Sequence, residues 1–146
     1  MLDLNENSSL LELGLVTPDD LNADDDAGRA MLRAAQLPLR RLALPDLYIL
    51  LRFNVALAVV VPIVLHRLAD KPMLQAAEYP ADLLSALLEA DAQFWRDQPV
   101  LWEETLPIVA QAMEEAQVTD ENGEISFAIG DSLAAAILHF MSLHKA

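Results

Sequence analysis

An uninterrupted apolar run extends from Val55 to Leu65, and a segment of this kind has to be enclosed by the rest of the fold. The run is about half as long as a bilayer-spanning helix, and polar residues such as Asn54 and His66 flank it. We therefore expect a buried helix and no membrane span. Glycine is scarce, while Leu and Ala outnumber alternating β-branched residues. The prediction is an all-α, compact helical bundle of about six to eight helices.

The length of 146 residues is typical of one domain, so we expect a single domain over residues 1–146. Its parts are predicted as N-terminal acidic helices within residues 1–44 and a C-terminal helix over about residues 131–144. Between them, the segment after Pro45 and the helix from Val55 to Ala69 are expected to form a hairpin that makes up the core. Cysteine is absent, and no secretory signal pattern opens the sequence, so a cytoplasmic location is expected.

The net charge of -14 is distributed unevenly. Residues 1–28 contain eight acidic side chains and no basic one, residues 29–52 contain five arginines and one acid, and residues 53–146 contain fourteen acids and four bases. Such a surface repels phosphate backbones and anionic lipids, so direct binding of nucleic acid is not expected. A basic protein would be attracted to it.

Two acidic segments are the candidate binding surfaces. The first begins a helix predicted to start at Pro18 and to continue to about Gln36, either unbroken or with a break at Gly28. The second is the outer face of a helix from Pro99 to about Gln117, whose inner face is expected to pack through Trp102, Leu106, Val109 and Met113. The candidate residues are Asp19, Asp20, Asp24, Asp25 and Asp26 in the first segment, and Glu103, Glu104, Glu114 and Glu115 in the second.

No known catalytic or cofactor-binding pattern occurs in the sequence. The phosphate-binding loop, the dinucleotide-binding glycine pattern, the G-x-S-x-G nucleophile turn and the H-E-x-x-H zinc motif are all absent. Asp20, Asn22 and Asp24 have calcium-loop spacing, but Asp25 and Met31 stand where that loop needs glycine and glutamate. The chain is therefore predicted to have no catalytic residues, no metal site and no cofactor, and not to be an enzyme.

Residues 78–99 read "EYPADLLSALLEADAQFWRDQP". Pro80 and Asp82 are typical of a helix start, the leucines have core spacing, and the Phe-Trp pair supplies large apolar area. Together with "NVALAVVVPIVLHRLADKPM" at residues 54–73, this block resembles the helical immunity proteins of bacterial contact-dependent growth inhibition systems. The resemblance covers about residues 46–115. The matching residues include Asn54, Pro62, Tyr79, Pro80, Asp82, Leu83, Leu84, Phe94 and Trp95.

This chain departs from the family pattern at two kinds of position. Ala56 and Ala81 stand where the pattern has glycine, and Arg52 and Phe53 stand where a small residue and glutamine are usual. The departures concern turn geometry and leave the helical plan intact.

The resemblance implies a cytosolic protein that binds and blocks a toxin domain delivered by a neighbouring cell. Toxins of this kind are often nucleases that act on RNA through a basic cleft, which an acidic inhibitor could occupy. The motif residues are then expected to be structural, and the two acidic segments to be the toxin-binding candidates. The alternative hypothesis is an acidic adaptor or regulatory module that binds another basic protein.

Overall fold

The structure is a computed structural model, and it describes residues 6–21, 24–78, 80–127 and 131–144. Within these ranges the fold is built from seven α-helices and one small β-hairpin, which confirms the predicted all-α class. The α-helices are α1 (Asp26–Gln36), α2 (Leu44–Arg52), α3 (Leu57–Leu68), α4 (Asp82–Leu88), α5 (Ala92–Asp97), α6 (Pro99–Glu115) and α7 (Asp131–Ser142). Short 3₁₀ helices span Pro18–Leu21 and Leu39–Arg41, and the antiparallel strands are β1 (Gln117–Thr119) and β2 (Ile125–Phe127).

Helix α4 is the centre of the core. All seven of its residues are buried, and it packs against both α2 and α7. The α2–α3 hairpin, which is predicted to form the core, does bury apolar side chains in it, and it shares the core with α4. A helix that is apolar on nearly all sides is stable only when other elements enclose it. The leucines at 83, 84, 87 and 88 give α4 that character.

The start of α4 is fixed by a buried carboxylate that bonds to the preceding loop. Asp82 is fully buried, and it accepts hydrogen bonds from the backbone N–H groups of Ala76, Ala77 and Glu78 at 2.6, 2.9 and 2.7 Å. Pro80 precedes the helix and does not occupy its first turn, in contrast to the predicted helix start. Asp82 therefore holds the loop before α4 against the helix.

The N-terminal acidic segment is not one continuous helix. A 3₁₀ helix ends at Leu21, and α1 begins only at Asp26. The side chain of Asp25 accepts a hydrogen bond from the backbone N–H of Gly28 at 2.6 Å and so caps α1. The capping carboxylate satisfies an N–H group that would otherwise have no partner in the first turn, and this favours a new helix start at this point.

Helix α6 starts at Pro99 as predicted, but its buried face is rotated from the expected one. The buried residues are Thr105, Ile108, Val109 and Ala112. Thr105 tolerates burial because its hydroxyl donates to the carbonyl of Leu101 at 2.8 Å. The expected inner residues Trp102, Leu106 and Met113 are half-buried on one side of this face.

An aromatic cluster attaches α7 to α5 and α6. Trp95 and Phe140 are fully buried and meet edge to face, with ring centroids 4.9 Å apart. Trp102 stacks on Phe140 at 5.7 Å, and its indole N–H donates to the Phe140 carbonyl at 2.9 Å. His144 extends the cluster, because its Nε2 lies 2.6 Å from the carbonyl oxygen of Trp95. These contacts hold the C-terminal helix beside the N-terminal half of α6.

Candidate functional site

The five candidate acids of the N-terminal segment are exposed, but most of them take part in local structure. Asp25 caps α1, as described above. The carboxylate of Asp20, in the 3₁₀ helix, accepts at 2.9 Å from the backbone N–H of Thr17, the residue that precedes this helix. Asp26 forms an ion pair with Arg29 on the surface of α1. Only Asp19 and Asp24 have carboxylates that make no hydrogen bond or ion pair to other described residues.

Unlike Asp26, the four candidate glutamates of α6 form no ion pair with the described residues. All are exposed, and α6 contains no lysine or arginine that could neutralise them from a neighbouring turn. In the described parts of the chain the ion pairs are Arg29 with Asp26 and Arg52 with Glu89, and neither involves α6. We call this surface the α6 acidic face, defined by Glu103, Glu104, Glu114 and Glu115.

An open groove of about 410 Å³ runs between α3 and α6 beside this face. Its apolar lining consists of Pro62, Leu65 and Ala69 from α3 and its C-terminal cap, and of Pro107 and Ile108 from α6. The polar lining residues are His66, Glu104 and Gln111. We call this feature the α3–α6 groove. Glu104 belongs to both the groove and the α6 acidic face.

The groove was not predicted from the sequence, although one local signal for it exists. Pro62 and Pro107 are the prolines inside α3 and α6, and both line the groove. Their short rings, together with the small side chain of Ala69, leave space that longer side chains would fill. Which faces of two separate helices meet cannot be deduced from the pattern of either helix alone.

The family-motif residues lie in several different environments. Leu83, Leu84 and Trp95 are fully buried, whereas Phe94 is half-buried and contacts Trp95 edge to face, with ring centroids 5.3 Å apart.

Asn54, another motif residue, is exposed. Its side-chain oxygen accepts a hydrogen bond from the backbone N–H of Asp91 at 2.8 Å, which joins the α2–α3 turn to the start of α5. Tyr79 lies outside the described residues.

The two alanines that replace glycine in the family pattern both have left-handed backbone conformations. Ala56 has φ +48° and immediately precedes α3, and Ala81 has φ +68° and immediately precedes α4. Glycine adopts this region without steric cost, whereas alanine does so with strain. The chain thus keeps the turn geometry that the glycines imply, at some expense in stability.

The end of α2 is also exposed, and Phe53 there is 53% exposed. A guanidinium nitrogen of the neighbouring Arg52 lies 3.7 Å from a carboxylate oxygen of Glu89, and the guanidinium carbon lies 6.0 Å from the Tyr48 ring centroid. This end of the helix has its own cation and an aromatic ring. Its chemistry therefore differs from that of the α6 acidic face.

Neither a metal cluster nor a membrane helix is found where the structure can be described. Over these ranges no three His, Asp, Glu or Cys side chains are grouped closely enough to hold a metal ion. No helix in them has the length and apolar character needed to cross a membrane. Two of the three histidines lie in different parts of the structure. His66 lines the α3–α6 groove, and the ring of His144 packs on Trp102 in the aromatic cluster.

Comparison with known proteins gives one match. A family model described as CDI immunity proteins matches residues 24–105, which is more than half of the chain. The matched region begins earlier than the resemblance at about residues 46–115 suggests, and it extends from before the start of α1 to the first two turns of α6. No curated protein and no solved structure matches the chain.

Proposed function

Because this chain belongs to the family of CDI immunity proteins and so neutralises a cognate toxin, we propose that its target is a nuclease domain with a basic cleft. The α6 acidic face enters or covers that cleft and competes with the phosphate groups of the substrate. Inhibition is steric and electrostatic, with no turnover, and it takes place in the cytoplasm of the protected cell.

The observation that carries this proposal is that the α6 glutamates are exposed and form no ion pair with the described residues. Glu114 and Glu115 also lie in the last turn of α6, where the negative end of the helix dipole makes a carboxylate unfavourable. Residues that cost stability without contributing to packing are good candidates for binding.

The physical effect of such a face is strongest on association. Four uncompensated carboxylates on a chain of net charge -14 create a negative potential that attracts a cationic domain and orients it before contact. In the bound state, carboxylates that lose water while facing Arg or Lys fix the register of the complex. The face therefore supports both rapid capture and specificity.

The N-terminal acidic segment is the weaker of the two candidate surfaces. Its carboxylates at positions 20, 25 and 26 are already engaged with backbone N–H groups or with Arg29. Binding to a toxin would require these interactions to be shared or broken. We propose that this segment contributes long-range attraction, while the α6 acidic face makes the principal contact.

The function is tested by titrating the purified protein into the toxin domain encoded by the gene immediately upstream and measuring RNA cleavage. The expected result is a linear loss of cleavage that is complete near equal molar amounts. A toxin domain that does not cleave RNA would exclude the proposed nuclease target, and a catalytically active one that remains fully active in an excess of this protein would exclude the proposed inhibition. Binding without loss of cleavage would instead favour the acidic adaptor hypothesis.

A further inference from the structure

The α3–α6 groove combines two kinds of surface that a single side chain can satisfy. Its apolar lining includes Leu65 and Ile108, which are 8% and 6% exposed, and the rings of Pro62 and Pro107. Its polar lining residues are His66, Glu104 and Gln111, of which Glu104 carries a carboxylate. The groove therefore offers an apolar surface and a negative charge to the same occupant.

Arginine and lysine have the complementary structure. Each has an aliphatic stem that gains from contact with apolar surface and a cationic head that remains polar at the end of that stem. An aromatic or aliphatic side chain would fill the groove but leave the carboxylate without a partner. A small polar group would pair with the carboxylate but leave the apolar lining in water.

The charges around the groove favour a cationic occupant over an anionic one. The three other glutamates of the α6 acidic face lie on the helix that forms one wall. Of the two basic residues in the last turn of α3, His66 lines the groove, and Arg67 is directed elsewhere, because its guanidinium donates to the carbonyl of Leu42 at 2.9 Å. The four glutamates therefore leave the formal charge around the groove negative, which favours a cation.

We propose that the α3–α6 groove receives an arginine or lysine side chain of the toxin domain, with its stem against Pro62 and Pro107 and its head on Glu104. This inference rests on the proposed function and adds a defined anchor to it. Interfaces concentrate their binding free energy in a few such anchors, which occupy pockets and are shielded from water in the complex. The groove then determines the dissociation rate, whereas the wider α6 acidic face determines the association rate.

The absence of cysteine makes a direct occupancy test possible. Ala69→Cys places one thiol at the groove, and Ala58→Cys places one on an exposed position of the same helix that does not line the groove. Both variants are alkylated with a maleimide, alone and with saturating toxin domain from the upstream gene. We expect the toxin to slow alkylation at position 69 by at least about tenfold and to leave position 58 within about twofold.

The outcomes separate the two proposals. If the toxin is inhibited and bound while both thiols react at unchanged rates, the groove inference is overturned and the proposed function stands. If no complex forms with either variant or with the unmodified protein, the proposed function fails and the groove inference fails with it. Equal protection at both positions would also overturn a specific role for the groove.

A matched pair of glutamate variants tests the cationic nature of the occupant. Glu104→Gln removes the carboxylate at the groove, and Glu121→Gln removes the same charge from the exposed turn between β1 and β2, which belongs to neither the groove nor the α6 acidic face. We expect toxin dissociation to accelerate about tenfold for the first variant and less than about twofold for the second. Equal effects of the two variants would show that only the net charge of the protein matters, and would exclude a cation seated on Glu104.

Discussion

The two acidic regions of this protein have similar composition but use their carboxylates differently. In the N-terminal segment, acids stand at the starts of helices, where free backbone N–H groups are available, and Asp20 and Asp25 accept hydrogen bonds from such groups. On α6, glutamates lie along the body and at the C-terminal end of the helix, where the carbonyl groups point and no N–H is free. Position within a helix therefore decides whether an acid contributes to folding or remains available for a partner.

Net charge alone therefore does not identify the carboxylates that are available to bind a partner. A chain of net charge -14 presents many carboxylates, but those that cap helices or form ion pairs are already part of the fold. The α6 glutamates form no ion pair with the described residues, and they are among the carboxylates that the fold does not use in this way.

The largest effect is expected at Asp82, the extreme case of an acid used for folding. Asp82→Asn replaces one acceptor oxygen with a donor in a buried site that receives three backbone N–H groups. The loss should be about 3 kcal/mol in the free energy of unfolding, because buried donors lose their charged acceptor. Urea titration followed by circular dichroism measures it. An unchanged denaturation midpoint would contradict the assigned role.

A smaller loss is expected at the cap of α1. Asp25→Ala removes the acceptor for the Gly28 N–H and should lower the free energy of unfolding by about 1 kcal/mol. The control is Asp24→Ala, because the carboxylate of Asp24 makes no hydrogen bond or ion pair to other described residues. Urea titration of both variants should show the loss for position 25 alone. Equal losses would mean that general charge, and not capping, is what matters in this segment.

The opposite sign is expected at the end of α6. Glu114→Gln combined with Glu115→Gln removes two carboxylates from the unfavourable end of the helix dipole and from mutual repulsion. The free energy of unfolding should rise by about 0.7 kcal/mol at low salt and by less at high salt. Thermal unfolding at two salt concentrations measures this. A loss of stability would show that these glutamates have a folding role, and the contrast between the two regions would disappear.

The smallest effect concerns the backbone that sets the start of α3. Ala56→Gly relieves a left-handed alanine and should raise the free energy of unfolding by about 0.5 kcal/mol. Ala58→Gly is the control on the same helix, and it should lower stability by up to about 1 kcal/mol, since position 58 is helical. Opposite signs in urea titration support the strained turn, whereas losses in both variants would contradict it.

Features set by local chemistry could be predicted from the sequence. Pro99 and the pattern after it predict α6 to within two residues of its end, because a proline at the first turn and amphipathic spacing act locally. Features set by packing could not. The burial of Asp82 depends on a loop that folds back on it, and the α3–α6 groove depends on which faces of two distant segments meet. The full burial of α4 is indicated in the sequence by its almost wholly apolar composition, but the longer apolar run in α3 is the stronger indication of a buried helix.

The candidate site divides in the same way. The acidic residues of both segments could be named from composition and periodicity, and their exposure follows from the charged character of their side chains. The spacing of an i,i+4 pair predicts that Arg29 pairs with Asp25, whereas in the structure Arg29 pairs with Asp26, three residues before it. The structure distinguishes carboxylates that are engaged in the fold from those that are not, and the separate roles proposed for the two regions rest on this distinction.

The central claim, that the α6 acidic face makes the principal toxin contact, is tested most directly by stopped-flow association with the toxin domain encoded upstream. One variant combines Glu104→Lys with Glu115→Lys, and the other combines Asp19→Lys with Asp24→Lys, so the net charge changes equally in both. We predict that at low salt the first variant associates at least about tenfold more slowly, while the second stays within about threefold of the unmodified protein. Equal slowing in both variants, or a greater effect at the N-terminal segment, would contradict the claim.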